Sequence, residues 1–386
     1  MRTLNIIGYV AIPLAYLVHL WLGKGASWEP KATFVLAAFG VVPLAHLMGR
    51  STEHLAERTG PTWGGLLNAT FGNAAELIIA IIALTKGLNE IVMASLTGSI
   101  LGNLLLVAGG AMVVGGWNRE KQTFSRASAE LNAGLLMLAV AAMLFPAMFH
   151  YTVEHMHDLK AIDHEHSVSI GTSIILLAVY ALGLVFTLRT HAHIFSTTPV
   201  QHEEDRRGIE MGESWSVRKS VIVLLVASAG IGLVAELVVG SAEAMALEMG
   251  WNHIFVGVIL LAIIGNAAEH STAVMLARRD DMDTAMTICF QSSLQIALFV
   301  TPFLVLLSAL FPALGFEHAR HMNLVFSPME VVAVMLTVFV VVFVSLNGAS
   351  NWFEGVLLLA MYAILGIAFF YIPASPHGGA TMPTGH

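Results

Sequence analysis

The chain has 386 residues, of which 56% are hydrophobic and only 11% charged, and its mean hydropathy is +0.76. Soluble domains carry roughly 25% charged residues, so a chain this apolar reads as a polytopic membrane protein embedded in a lipid bilayer. The net charge of −8 comes largely from short loops, no basic patch with interleaved aromatics points to nucleic acid, and the single cysteine, Cys289, excludes an intramolecular disulfide or a Cys-based zinc site.

A spanning helix needs about 20 mostly apolar residues. Eleven segments meet that requirement: 5–22, 33–52, 64–84, 91–115, 130–149, 169–188, 219–246, 253–277, 284–311, 327–346 and 352–372. The first follows Arg2 and has the look of a signal peptide. No small-x-small cleavage site follows it, so it is expected to be a retained span. Residues 201–216 are too polar to span and form an acidic linker; the Pro/Gly-rich residues 374–386 are expected to be a disordered tail.

Lys and Arg fix the expected orientation. The N-terminus and the loops after even-numbered spans carry 13 of the 18 basic residues, and the loops on the other side carry Lys24, Lys31, Lys86, Lys160 and Arg320. This places the N-terminus and the acidic linker in the cytoplasm and the C-terminus outside. Compact loops fit a prokaryotic plasma membrane.

One pentapeptide organises the chain. Gly72-Asn73-Ala74-Ala75-Glu76 on span 3 recurs as Gly265-Asn266-Ala267-Ala268-Glu269 on span 8, 193 positions later. The two copies are five spans apart, an odd number, so their helices run in opposite directions. The expected fold is all-α: an extra helix (1–28), a first inverted repeat of five spans (29–190), the linker (191–217) and a second inverted repeat (218–373). Inverted repeats place substrate near the bilayer midplane at their interface. Glu76 and Glu269 both fall near mid-depth of their expected spans.

A charged residue at the bilayer centre costs at least ~2.5–3.5 kcal/mol, so a symmetric pair of glutamates needs a partner. Two carboxylates neutralise one divalent cation, and Ca²⁺ takes 6–8 oxygen ligands. Asn73 and Asn266 each precede a glutamate by three residues and share its helix face. Span 4 offers Ser99 and Asn103, and span 9 offers Ser292 and Gln295, with Ser99 and Ser292 again 193 apart. This set is rich in oxygen and poor in sulfur and imidazole, which disfavours zinc or copper. The same carboxyls bind protons, so Ca²⁺ and H⁺ compete for one site, the minimum requirement for antiport. The alternative is a pair of protonated glutamates that ties helices together.

Glu53, Glu236 and Glu243 form a second tier of pathway residues. Glu236 lies deep between apolar neighbours in the sequence, and Glu53 and Glu243 are related at an offset of 190. Glu57 beside Arg58 reads as a solvated helix end. The outside loop 150–168 holds His150, His155, His157, His164 and His166, either a solvated loop or a weak metal-collecting or pH-sensing one. His270 points roughly 100° away from the face of Glu269. No His-Glu-x-x-His, Gly-x-Ser-x-Gly or phosphate-cradling Gly-x4-Gly-Lys motif occurs. The chain therefore reads as a secondary transporter without cofactor, driven by an ion gradient, and not as an enzyme.

The doubled Gly-Asn-Ala-Ala-Glu, the stretch Gln291-Ser292-Ser293-Leu294-Gln295-Ile296-Ala297-Leu298-Phe299-Val300 and the acidic mid-chain segment carry a likeness. The chain resembles the calcium/proton exchanger branch of the cation/Ca²⁺ exchanger superfamily. The resemblance implies eleven spans, with Glu76 and Glu269 binding Ca²⁺ and H⁺ alternately. It also implies that spans 2 and 7, which carry Glu53 and Glu236, move to switch access. Gly102-Asn103 stands where relatives often have Ser-Asn. A single glutamate per repeat fits proton coupling better than Na⁺ or K⁺ coupling in the same fold, and a passive channel is a further alternative.

Overall fold

The computed structural model describes residues 2–23, 25–59, 64, 66, 67, 70–156, 159–192, 215–316 and 320–373. The centre of the acidic linker and the 374–386 tail lie outside these residues, as do His157 and Asp158.

The described chain is helical apart from one short strand pair. The helix α1 (Arg2–Leu17) runs on through a π turn (Val18–Leu22), and α2 spans Glu29–Thr59. The short α3 (Ala74–Thr85) is followed by α4 (Asn89–Gly116), α5 (Arg126–Met156) and α6 (Leu159–Val185). The second half holds α7 (Val217–Met249), α8 (His253–Gly265), α9 (Ala267–Arg278), α10 (Met282–Ser308), α11 (Pro328–Ser345) and α12 (Trp352–Phe370). Among the described residues nine helices are long and apolar enough to cross a membrane, or ten if α8 and α9 make one span.

Span 8 is bent within its expected range, with α8 and α9 meeting at 62°. Gly265 and Asn266 explain it: glycine costs about 1 kcal/mol relative to alanine inside a helix, and the Asn side chain competes for backbone partners. Asn266 Nδ2 donates to the Ala262 carbonyl at 2.9 Å, and the Asn266 carbonyl opens α9 by accepting from His270 N at 3.0 Å. Span 3 behaves alike. The described residues 64, 66, 67, 70 and 71 are helical, Gly72-Asn73 form a turn, and α3 starts at Ala74, with the Asn73 carbonyl accepting from Leu77 N at 3.0 Å. The 150–168 segment is no loop, since α5 continues to Met156 and α6 begins at Leu159.

Loop contacts sort the helix ends into two faces. On one face β1 (Gln122–Thr123) pairs antiparallel with β2 (Ala349–Ser350). Beside it Arg119 Nε lies 3.2 Å from Asp280 Oδ1, and Ser125 N donates to Asp283 Oδ1 at 2.6 Å. These contacts join the segments after α4, α9 and α11. On the other face Lys31 pairs with Glu248 at 3.1 Å, and Asn89 Nδ2 donates to the His321 carbonyl at 2.9 Å. There too Asn252 Nδ2 reaches the carbonyls of Phe369 and Ile372, both at 2.9 Å. The start of α2 thus meets the end of α7. These two helices make the most extensive pairing in the molecule, with Val41, Leu44, Ile231 and Val234 buried between them.

The most enclosed helices are those expected to carry site hydroxyls and amides. Within their apolar windows α4 is 83% buried and α10 72%, against 22% for α1 and α12. Lipid supplies no hydrophobic drive for helix association, so close packing of small residues must hold such a centre together. Gly98 on α4 does so: a Cβ there would run into the backbone of Val258 on α8. Near the same crossing a Cβ on Gly257 would lie 2.5 Å from Ala94 Cβ. The α4–α8 crossing therefore tolerates no side chain at Gly98.

Candidate cation site

The site is assembled where two helices begin. Asn73 is the N-terminal flank of α3 and Asn266 that of α9, so Glu76 and Glu269 both sit in first turns. The N-terminal end of a helix carries partial positive charge that favours a carboxylate. Discontinuous helices whose ends face a mid-membrane site are a recurring device of transporters.

The partner residues come from α4 and α10, and the pairing is crossed. Asn73 from the first half donates through Nδ2 to Gln295 Oε1 at 2.6 Å and accepts from Ser292 Oγ at 3.0 Å. Asn266 from the second half donates to Ser99 Oγ at 2.9 Å and accepts from Asn103 Nδ2 at 3.4 Å. All six of these side chains are buried. Ser292 Oγ also bonds directly to Glu269 Oε2. Glu76 packs on the opposite half, with a Cβ at Gly265 falling 3.2 Å from Glu76 Cγ and 3.4 Å from its Oε1. Gly265 leaves room for that carboxylate.

All eight residues expected at the site are thus brought together: Glu76, Glu269, Asn73, Asn266, Ser99, Asn103, Ser292 and Gln295. Both α4 and α10 turn to π geometry around the site amides, over Gly102–Val107 and Ile296–Val300. Thr301 Oγ1 bonds the Ile296 carbonyl five residues back at 2.8 Å, which marks the widened turn. Such π turns are frequent at functional sites. No group of three or more His, Cys, Asp or Glu is placed to hold a metal ion among the described residues. The oxygen donors here are two carboxylates completed by amides and hydroxyls.

The pathway glutamates do not join this cluster. Glu236, expected deep in its span, has a side chain 67% exposed and lies 3.9 Å from Lys86 Nζ. Glu53 is exposed towards the end of α2, and Glu243 is half-buried towards the end of α7. Cys289 is buried, as a small core residue should be. His150 Nδ1 meets Glu165 Oε1 at 2.7 Å and His166 Nδ1 meets Asn323 Oδ1 at 3.1 Å. His270 Nε2 is buried without a hydrogen-bond partner, 3.9 Å from where a Cβ on Gly102 would sit.

One buried carboxylate escaped the sequence reading. Glu330 closes a capping box with Ser327 at the start of α11 and accepts from Thr97 Oγ1 at 3.1 Å. Ser-x-x-Glu ahead of an apolar run is the signal that could have revealed it.

The model of the family described as sodium/calcium exchanger protein matches residues 30–189 and 219–371. The chain belongs to this family. Its similarity to the calcium/proton exchangers of the superfamily is high. The Ca²⁺/H⁺ antiporter of Synechocystis sp. is 43% identical over 376 residues, covering 94% of this chain and 96% of that protein. The Ca²⁺/H⁺ antiporter ChaA of Bacillus subtilis is 41% identical over 352 residues, covering 91% and 95%. Among solved structures, native YfkE matches with a TM-score of 0.77 and 37% identity over 96% of this chain and 100% of that one. The family assignment and the apolar helices make the chain an integral membrane protein.

Proposed function

We propose that this chain is a secondary antiporter that exports cytoplasmic Ca²⁺ in exchange for H⁺ by alternating access, with Glu76 and Glu269 holding Ca²⁺ and H⁺ in turn. The observation that carries the reading is the crossed polar cluster: Asn73 bonds Ser292 and Gln295, Asn266 bonds Ser99 and Asn103, Ser292 also bonds Glu269, and Glu76 packs on Gly265. The names of the Synechocystis and Bacillus relatives agree with it.

The proton logic follows from Ser292. Its hydroxyl has one proton and two oxygen neighbours, Asn73 Oδ1 and Glu269 Oε2. Asn73 Nδ2 is committed to Gln295, so Asn73 Oδ1 must accept. Both bonds close when Glu269 carries a proton and donates to Ser292. Loss of that proton leaves Glu269 an acceptor that competes for the hydroxyl and frees Asn73 Oδ1 towards a cation. Ca²⁺ as substrate would then find carboxylate, amide and hydroxyl oxygens of the kind it selects. Two deprotonated glutamates balance its charge and two protons replace it, so both loaded forms are close to neutral.

The larger architecture we read is one extra helix and two inverted repeats of five spans, with boundaries at 28/29, 190/191, 217/218 and 373/374. Support comes from the two separately matched blocks, 30–189 and 219–371, and from loops that gather alternately on two faces. Glu53 towards one face and Glu243 towards the other suit access-route residues, and α2 and α7 suit the moving pair. The basic excess puts the N-terminus in the cytoplasm and the C-terminus outside.

The family description also names sodium, so the rival is Na⁺ or K⁺ coupling in the same fold. Uptake of ⁴⁵Ca²⁺ into inverted membrane vesicles separates the two. Proton coupling predicts uptake that collapses with ΔpH and is indifferent to Na⁺ and K⁺ gradients. Uptake that follows a Na⁺ gradient and ignores ΔpH would overturn it.

A further inference from the structure

Away from the glutamates, the ends of α4 and α9 enclose a groove of about 550 Å³ on the face that holds the β1–β2 pair. Its lining is Val113, Val114, Trp117, Asn118, Arg119 and Arg278. Two guanidiniums, an amide and an indole face one space with no carboxylate in the lining. Arg119 is pinned in place: it donates to the Gly115 carbonyl at 2.6 Å and the Arg278 carbonyl at 3.4 Å, and pairs with Asp280 at 3.2 Å. The Arg278 side chain is different. It is exposed and makes no ion pair among the described residues.

The surroundings say what kind of anion fits. Trp117 is 69% exposed and meets Trp352 edge-on at 6.5 Å between ring centres. Exposed tryptophans of this kind gather at the headgroup level of membranes. Beneath the charged rim Val113 and Val114 continue the apolar flank of α4, with Val114 39% exposed. A free phosphate has no use for that apolar floor, whereas a lipid lays an acyl chain on it. Basic pockets between spans are where anionic headgroups bind, and arginine suits phosphate through its planar fork of donors.

We propose that this groove binds the headgroup phosphate of an anionic phospholipid, with Arg278 as its principal charge partner, Trp117 and Asn118 as flanking donors and Val113 and Val114 under the acyl chain. The site joins the end of α9, whose first turn carries Glu269, to the end of α4, which carries Ser99 and Asn103. A bound lipid would brace these two helices against each other. The assignment stands apart from the transport reading, because it uses none of its residues.

Bromolipid quenching of tryptophan fluorescence tests it on the full chain in phosphatidylcholine nanodiscs. The Trp117 signal is taken as wild type minus Trp117→Phe. Brominated phosphatidylglycerol should quench it at low mole fraction, and brominated phosphatidylcholine at the same fraction should not. Arg278→Gln should raise the phosphatidylglycerol fraction needed by about tenfold, the loss of one charge-assisted contact. Arg278→Lys should fall between, and Arg279→Gln, outside the groove, should behave as wild type. Equal quenching by both headgroups overturns the proposal, as does an unchanged Arg278→Gln. Loss of the phosphatidylglycerol preference on adding millimolar inorganic phosphate reassigns the groove to free anions and overturns the lipid assignment. The wild-type headgroup comparison decides the matter even if Arg278→Gln does not fold.

Discussion

The two halves of the candidate cation site are built from one pentapeptide and wired in opposite senses. Around Asn73 the hydroxyl donates and the amide accepts: Ser292 gives its proton to Asn73 Oδ1 and Gln295 receives from Nδ2. Around Asn266 the roles are exchanged, with Asn103 donating to Oδ1 and Ser99 receiving from Nδ2. Glu269 is bound by Ser292, while Glu76 rests on Gly265. Chain spacing also differs. Asn103 follows Ser99 by four residues, and Gln295 follows Ser292 by three, its extra methylene making up the reach. A duplicated motif has thus produced a site in which one glutamate is held by a hydrogen bond and the other by packing. Two equal halves would have no reason to prefer one loaded state over another. In the proposed cycle, unequal halves let a proton on Glu269 set the wiring of Asn73 without touching Asn266.

Substitutions break this comparison in a graded way. The largest effect is expected from Glu76→Gln or Glu269→Gln, each leaving one fixed carboxylate against a divalent cation. Coupled ⁴⁵Ca²⁺ uptake should fall by about 100-fold or more in both, since one unpaired charge near mid-membrane costs several kcal/mol. Retained coupled uptake in either variant would sink the shared-site reading. Acidity should act next. If protons and Ca²⁺ compete for the same oxygens as proposed, apparent Ca²⁺ affinity rises with pH, by about 10-fold to 100-fold per unit where one to two protons are displaced. Equilibrium Ca²⁺ binding measured across a pH series checks the sign and the slope.

The serines sharpen the contrast. Ser292→Ala removes two bonds, including the one to Glu269, and should weaken Ca²⁺ binding about tenfold and displace its pH profile. Ser99→Ala removes one acceptor and should cost about threefold with the profile unmoved. Equal effects of the two serines on the profile would mean that the wiring is not directional. Gly98→Ala tests the scaffold: a methyl there meets the Val258 backbone, so stability should fall by about 1–3 kcal/mol, read as a lowered thermal midpoint in detergent. Smallest of all, Lys86→Gln should change transport by about twofold or less, because the Lys86–Glu236 pair is long and largely exposed.

Much of this site could be read from sequence because its residues recur at a fixed offset. Glu76 and Glu269 stand out as carboxylates in apolar runs, and Asn73, Asn266, Ser99 and Ser292 follow from helical spacing and the repeat. Helix positions were also legible, since apolar runs of spanning length dominate the chain. The direction of the hydrogen bonds was not, because Ser99 and Ser292 are the same residue type and only the partners' placement sets who donates. The bend at Asn266 was half legible: Gly-Asn signals weakness in a helix, but it does not give the angle between α8 and α9. The exposure of Glu236 could not be read either, because apolar sequence neighbours do not show which face of α7 meets Lys86.

The central claim is that the same two carboxyls hold Ca²⁺ and H⁺. Adding Ca²⁺ to the purified chain in weakly buffered detergent solution and recording proton release tests it most directly. The account predicts protons released in proportion to Ca²⁺ bound, with the release abolished or reduced in Glu76→Gln and Glu269→Gln. Stoichiometric Ca²⁺ binding without proton release at any pH, or undiminished release from both variants, would contradict it.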